Sequence, residues 1–106
     1  MAILREALKG MKFDDMAVVG QPPLVTPGDI LREEFLVPLA LSARALARDL
    51  GVPPNRITDI LNGNRGITAQ TALKLAKYFR TSALFWMNLQ VAYDLGVAER
   101  ELERAA

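Results

Sequence analysis

The amino-acid sequence predicts an all-α domain. Three observations carry this. Apolar residues recur at three- and four-residue spacing, whereas Val, Ile and Thr do not gather into alternating runs. Helix punctuation separates these periodic segments: capping Ser or Thr, Pro at first helical positions, Gly after last ones. A length of 106 residues, with 51% hydrophobic and 24% charged, suits one globular core and is short for two domains.

The elements follow in order. Residues 3–11 place Ile3, Leu4, Ala7, Leu8 and Met11 on one stripe, which predicts a short helix. Gly20, Pro22 and Pro23 then break the chain, so 12–25 reads as an extended linker. Thr26-Pro27 opens a helix containing Ile30, Leu31, Glu34 and Phe35, because Thr caps free amides and Pro at the first position forfeits no hydrogen bond. Pro38 ends it. Ser42 caps Ala43–Leu50, whose Ala43, Leu46, Ala47 and Leu50 lie on one face, and Gly51 stops that helix in a left-handed conformation. Pro53-Pro54 starts a third helix to about Asn62, with Ile57, Ile60 and Leu61 inward. Asn62 to Gly66 form a turn-rich loop. Thr68 caps a fourth helix with Ala72, Leu73, Leu75, Ala76 and Phe79 as its apolar face. Thr81 or Ser82 caps a fifth, holding Leu84, Phe85, Trp86, Leu89, Ala92 and Tyr93, and a separate polar tail helix is expected over Val97–Arg104. Trp86 and Phe85 read as core anchors.

Composition narrows the chemistry. No Cys and no His means no thiolate nucleophile, no imidazole base and none of the commonest zinc ligands. Glu33 and Glu34 are adjacent and so diverge on a helix, which is wrong for a catalytic carboxylate pair. No Gly-rich loop follows a strand. The expectation is a binding protein, not an enzyme, with no cofactor and no metal. No apolar run approaches the roughly 20 residues of a membrane span. The N-terminus also lacks a signal peptide's apolar centre and small-residue cleavage site. A soluble cytoplasmic protein with no membrane contact is expected.

The net charge of +1 hides a partition. Residues 1–41 carry −2, residues 42–80 carry +5 and residues 81–106 carry −2. A basic middle between acidic ends is how an anion-facing surface looks in sequence, and a scatter of solvated charges would give the same count.

The informative stretch is 42–62, two short helices joined by a turn containing Gly, which is a helix-turn-helix. Ala47 permits close approach of the helices, Gly51 turns the chain, and Leu46, Leu50, Val52, Ile57 and Ile60 fill the wedge behind them. This leaves Asn55, Arg56, Thr58, Asp59 and Asn62 on the outer face of the second helix. A helix of that kind fits the major groove of double-stranded DNA. Asn55 and Asp59 are the candidates for base readout, by pairing with adenine and by accepting from cytosine. Arg56 can reach guanine or a phosphate, and Thr58 a thymine methyl or a phosphate. Ser42 and Arg44 before the pair, and Asn62, Asn64 and Arg65 after it, would clamp flanking phosphates, helped by backbone amides around Asn62-Gly63. Asp59 has a second reading as the structural partner of Arg56 or Arg65. A helical hairpin with Gly in its turn also occurs in folds that bind no DNA.

Thr26-Pro27-Gly28-Asp29-Ile30-Leu31-Arg32-Glu33-Glu34-Phe35-Leu36, Leu46-Ala47, Gly51-Val52-Pro53-Pro54-Asn55-Arg56-Ile57, Ile60 to Ala69, Thr71 to Ala76 and Phe85 to Gln90 together resemble HigA-type antitoxins. These are Cro/repressor-like (XRE) helix-turn-helix proteins of type II toxin–antitoxin modules, and the likeness covers about residues 24–98. It implies a five-helix lambda-repressor-like helix-turn-helix domain over 26–106 for DNA binding and dimerisation, behind an N-terminal extension at 1–25. It also implies a homodimer joined through the last helices, repression of its own operon at a palindromic operator, and a cognate toxin, typically a RelE-like mRNA interferase. Two recognition helices would then sit about 34 Å apart. The chain departs from the family at Thr26 (usually His), Asp29 (usually Glu), Ala40 and Arg80 (frequently Gly) and Ala83 (frequently Pro), and the two glycine replacements predict that those loop ends close differently. A solitary XRE-family repressor without a toxin, or an interaction module that does not bind DNA, are the alternatives.

Overall fold

A computed structural model describes residues 23–105, so the helix expected at 3–11 and most of the linker lie outside the described residues. Five helices and no strand occur among the described residues. Helix α1 opens as one α-helical turn, Pro27–Ile30, and continues as a π-helical stretch, Leu31–Leu36. Helices α2 (Ala43–Leu50), α3 (Pro54–Leu61), α4 (Ala69–Phe79) and α5 (Ala83–Ala105) follow.

Thr26 and Asp29 close the start of α1 reciprocally. Thr26 Oγ1 accepts from the Asp29 amide at 3.0 Å, and Asp29 Oδ2 accepts from the Thr26 amide at 3.1 Å. The two family departures at these positions thus make one matched cap. The π-helical stretch was not legible in the spacing of side chains. There the Val37 amide donates to the Arg32 carbonyl five residues back, at 2.9 Å, and the two buried leucines, Leu31 and Leu36, are likewise five apart. Ser42 and Thr68 cap α2 and α4 as expected, and Gly51 takes φ +72°. Between the two candidate caps of α5, Ser82 accepts from the Phe85 amide, while the Thr81 hydroxyl accepts from Trp86 Nε1 at 2.8 Å.

The core is Leu31, Leu36, Leu46, Ala47, Ile57, Ile60, Ile67, Ala72, Leu75 and Trp86. Phe35 lies against Phe79, Phe85 and Trp86, with ring centroids 4.7–6.3 Å apart, and this aromatic cluster ties α1 to α4 and α5.

Three expectations are corrected. Leu73 is exposed: the inward stripe of α4 runs 72, 75, 76, 79, and Leu73 is turned about 100° from Ala72. Of the residues that α5 was expected to hold, Leu84 and Ala92 are exposed, which contradicts nothing in that expectation. The tail is no separate helix, because α5 runs unbroken through Gly96 to Ala105. No proline interrupts it, and the Ala-, Leu-, Glu- and Arg-rich end favours helix. Gly96 leaves room for the side chain of Leu24, which crosses α5 there. Finally, Ala40 and Arg80 do not close their loops differently from glycine. They adopt the left-handed conformation itself, at φ +51° and +59°.

Candidate nucleic-acid interface

Helices α2 and α3 pack on each other through Leu46, Ala47, Ile57 and Ile60, all of them buried, with Leu50 and Val52 half-buried at the turn. This fixes which side of α3 faces out. Asn55, Thr58 and Asn62 are exposed, and Arg56 and Asp59 are half-buried. The next segment holds Asn64 and Arg65, both exposed, and Ser42 and Arg44 are exposed at the N-terminal end of α2. None of the nine sequence-predicted residues lies in the core.

Their local bonds differentiate them. Arg44 and Arg56 form no ion pair among the described residues. Asp59 Oδ2 lies 3.9 Å from Arg65 Nε, both side chains more than one-third exposed, so the pairing is loose and weak. The partner of Asp59 is Arg65, not Arg56. The Thr58 hydroxyl turns back onto its own helix, 3.2 Å from the Asn55 carbonyl and 3.4 Å from that of Pro54, which leaves its methyl outward. Ser42 Oγ accepts from the Ala45 amide at 3.0 Å.

The backbone amides expected to face phosphate are already occupied. The Asn62, Gly63 and Asn64 amides donate to the carbonyls of Thr58, Ile60 and Asp59 at 3.0, 3.1 and 2.8 Å. They close the C-terminal end of α3, where orphan carbonyls need donors. Any grip on an anion at this end falls to the side chains.

Sequence reasoning missed what holds α3 in place. Gly28 sits so close to the Ile60 carbonyl and Leu61 Cα that a β-carbon would collide with backbone. Beside it, Arg32 Nη2 donates to the Leu61 carbonyl at 2.7 Å, while Nη1 stands 3.5 Å from Asp29 Oδ1. Helix α1 therefore holds the end of α3 by shape and by a charge-assisted bond. A glycine inside a helical turn was the available signal for the first contact. The second had none, because an arginine on a helix flank ordinarily points to water. At the far side, Gln90 Oε1 accepts from the Ile67 amide at 2.7 Å, which fixes the exit of the 62–66 loop on α5.

The remaining cations lie elsewhere. Lys74 Nζ reaches the Leu50 carbonyl at 3.3 Å, and Lys77 and Arg80 follow along the C-terminal half of α4. With Asp49, Leu50 and Tyr78 they line a shallow groove of about 500 Å³. The Tyr78 hydroxyl donates to Asp49 Oδ2 at 2.7 Å, and that hydrogen bond, with desolvation and the carboxylate charge, raises its pKa above the ordinary tyrosine value. The basic middle of the sequence thus serves two surfaces, one at the α2–α3 outer face and one at the end of α4.

Comparison with known proteins agrees with this architecture. The helix-turn-helix family model (HTH_3) matches residues 31–86. Virulence-associated protein I of Dichelobacter nodosus is 54% identical over 79 residues, 74% of this chain and 73% of that protein. Antitoxin HigA-1 of Vibrio cholerae serotype O1 is 39% identical over 71 residues, 67% of each. The structure of Pseudomonas aeruginosa antitoxin HigA with the higBA promoter superposes with a TM-score of 0.75 at 44% identity, over 78% of this chain and 90% of that one. The chain belongs to the helix-turn-helix family, in its HigA-type antitoxin branch.

Proposed function

We propose that the chain is an antitoxin and autorepressor: a homodimer that lays α3 in the major groove of a palindromic operator and neutralises a cognate RelE-like toxin. It works in the cytoplasm, by binding and not by catalysis. Residues 26–106 form the DNA-binding and dimerisation domain, and 1–25 an extension. The observation that carries the reading is the outer face of α3, where Asn55, Arg56 and the Thr58 methyl project between two flanking groups, Ser42 with Arg44 and Asn62 with Asn64 and Arg65. Arg44 and Arg56 there form no ion pair among the described residues, so phosphate or guanine displaces no such pair. Similarity to a HigA structure that contains its promoter supports the same ligand.

The dimer has its own support. Leu84, Val91, Leu95 and Leu102 are 66%, 49%, 57% and 72% exposed and recur at seven, four and seven residues along α5. This is the spacing of a helix–helix seam. Covering each such side chain fully contributes about 1.5–3 kcal/mol. Across two copies, half-exposed as they are, the sum is of the size that offsets an association cost of about 4–15 kcal/mol.

The test is titration of the protein with DNA from upstream of its own reading frame. Arg56→Ala and Asn55→Ala should each weaken operator binding by about 1–3 kcal/mol. Wild-type affinity in both variants would remove α3 from the interface. Co-purification with the product of the neighbouring gene tests the toxin, and sedimentation at low micromolar concentration tests the dimer.

A further inference from the structure

We propose that the cationic groove at the C-terminal end of α4 receives the acidic end of α5 from a second copy of this chain. The inference rests on the dimer reading above and adds to it a second contact, a register and a direction.

The groove's cations are largely free of ion pairs among the described residues. Lys77 and Arg80 form no ion pair among the described residues, and only Lys74 is engaged, with a backbone carbonyl. The groove is also remote from the proposed DNA face. It sits at the C-terminal ends of α2 and α4, whereas Ser42 and the 62–66 loop adjoin their N-terminal ends. An eleven-residue helix separates such ends by about 16 Å. Arg80 is moreover held at φ +59°, a conformation that costs an L-residue and that glycine adopts freely. A strained position whose guanidinium has no ion pair among the described residues points to use of that charge.

The complementary charge lies on α5. Glu99 and Glu101 are exposed and flank the stripe of Leu95, Ala98 and Leu102. Two α5 helices joined along their stripes can run parallel or antiparallel. In the parallel case Asp94 of each copy would face Glu99 of the other, and the two cationic grooves would stand together. In the antiparallel case Leu84 meets Leu102 and Val91 meets Leu95. Glu99 and Glu101 then lie beside the first turn of the other α5, which begins three residues after Arg80 of the groove. The one like-charge meeting in that register is Asp94 across the dyad, and its carboxylate already accepts from Gln90 Nε2. Charge therefore selects the antiparallel dimer, with two identical clamps.

Sedimentation equilibrium of the full chain at low salt tests this. Lys77→Glu with Arg80→Glu, or Glu99→Lys with Glu101→Lys, should each raise the dimer dissociation constant about tenfold or more, since four exposed pairs per dimer are reversed. Combining all four substitutions should restore it. Arg80→Gly gives a second measure: it relieves the left-handed strain and so raises the melting temperature under dissociating conditions, yet it should still weaken the dimer. If Leu95→Asp dissociates the dimer while the charge variants associate like wild type, or the combination fails to restore association, the clamp is wrong and the dimer stands. A monomeric wild type at low micromolar concentration overturns both.

Discussion

Ala40 holds φ +51° and donates its amide to the Val37 carbonyl at 3.1 Å. An L-residue held there costs about 1–2 kcal/mol. Glycine would remove that cost and give back about 0.4–1 kcal/mol through a freer unfolded chain. Ala40→Gly should therefore stabilise the protein by about 0.5–1 kcal/mol, a rise of a few degrees in a thermal melt followed by circular dichroism. Thr58 carries a second expectation. Its hydroxyl is bonded to its own helix, so what it offers outward is a methyl group. In the proposed complex that favours contact with the C5-methyl of thymine over a hydrogen bond. Replacing operator thymines by uracil one at a time should then reveal a position where affinity falls, and Thr58→Ser should erase the difference between the two bases there. Both features were half-visible in the sequence: the residues stood out, but backbone angle and hydroxyl direction are set by neighbours that spacing does not name.

Helices α2 and α3 were legible almost to the residue, because their caps, turn and apolar faces are local signals written in Ser42, Ala47, Gly51, Pro53 and Ile57. Helix α1 was legible as a helix but not as a π-helix, since its hydrogen-bond register leaves the apolar pattern nearly unchanged. Leu73 read as inward only because hydrophobicity was read without the face, and the polar end of α5 read as a tail helix of its own although the helix runs on unbroken. What no local signal showed was how α1 fastens α3. Arg32 supplies the charged donor to Leu61. Such a bond contributes about 1.5–3 kcal/mol when sheltered and less at this half-exposed site. Arg32→Ala should lower stability by about 1 kcal/mol and, with the end of α3 freed, lower operator affinity about tenfold. Arg32→Lys should recover part of both. Fluorescence anisotropy with operator and with random duplex separates the two effects, because binding to random DNA, which needs only charge, should change little.

For the molecule as a whole, net charge understates the field. The excess of +5 over residues 42–80 is divided between the α3 face and the α4 groove, so the proposed dimer would present only part of it to DNA. If Arg44, Arg56 and Arg65 of each copy neutralise about six phosphates in all, operator affinity should fall with salt at a log–log slope near −5, measured between about 50 and 200 mM. A slope near −9 would mean that Lys77 and Arg80 of each copy also touch DNA. The unbroken course of α5 bears on the operator itself. In the proposed dimer, with α5 continuous from Ala83 to Ala105 between the body of the protein and its partner, the separation of the two reading heads should behave as a fixed ruler. One extra base pair at the centre of the palindrome moves the far half-site by about 3.4 Å and turns it by about 34°. A jointed protein would absorb that change. This one should lose its grip on the second half-site, and a series of operators with altered spacers should show a single permitted length.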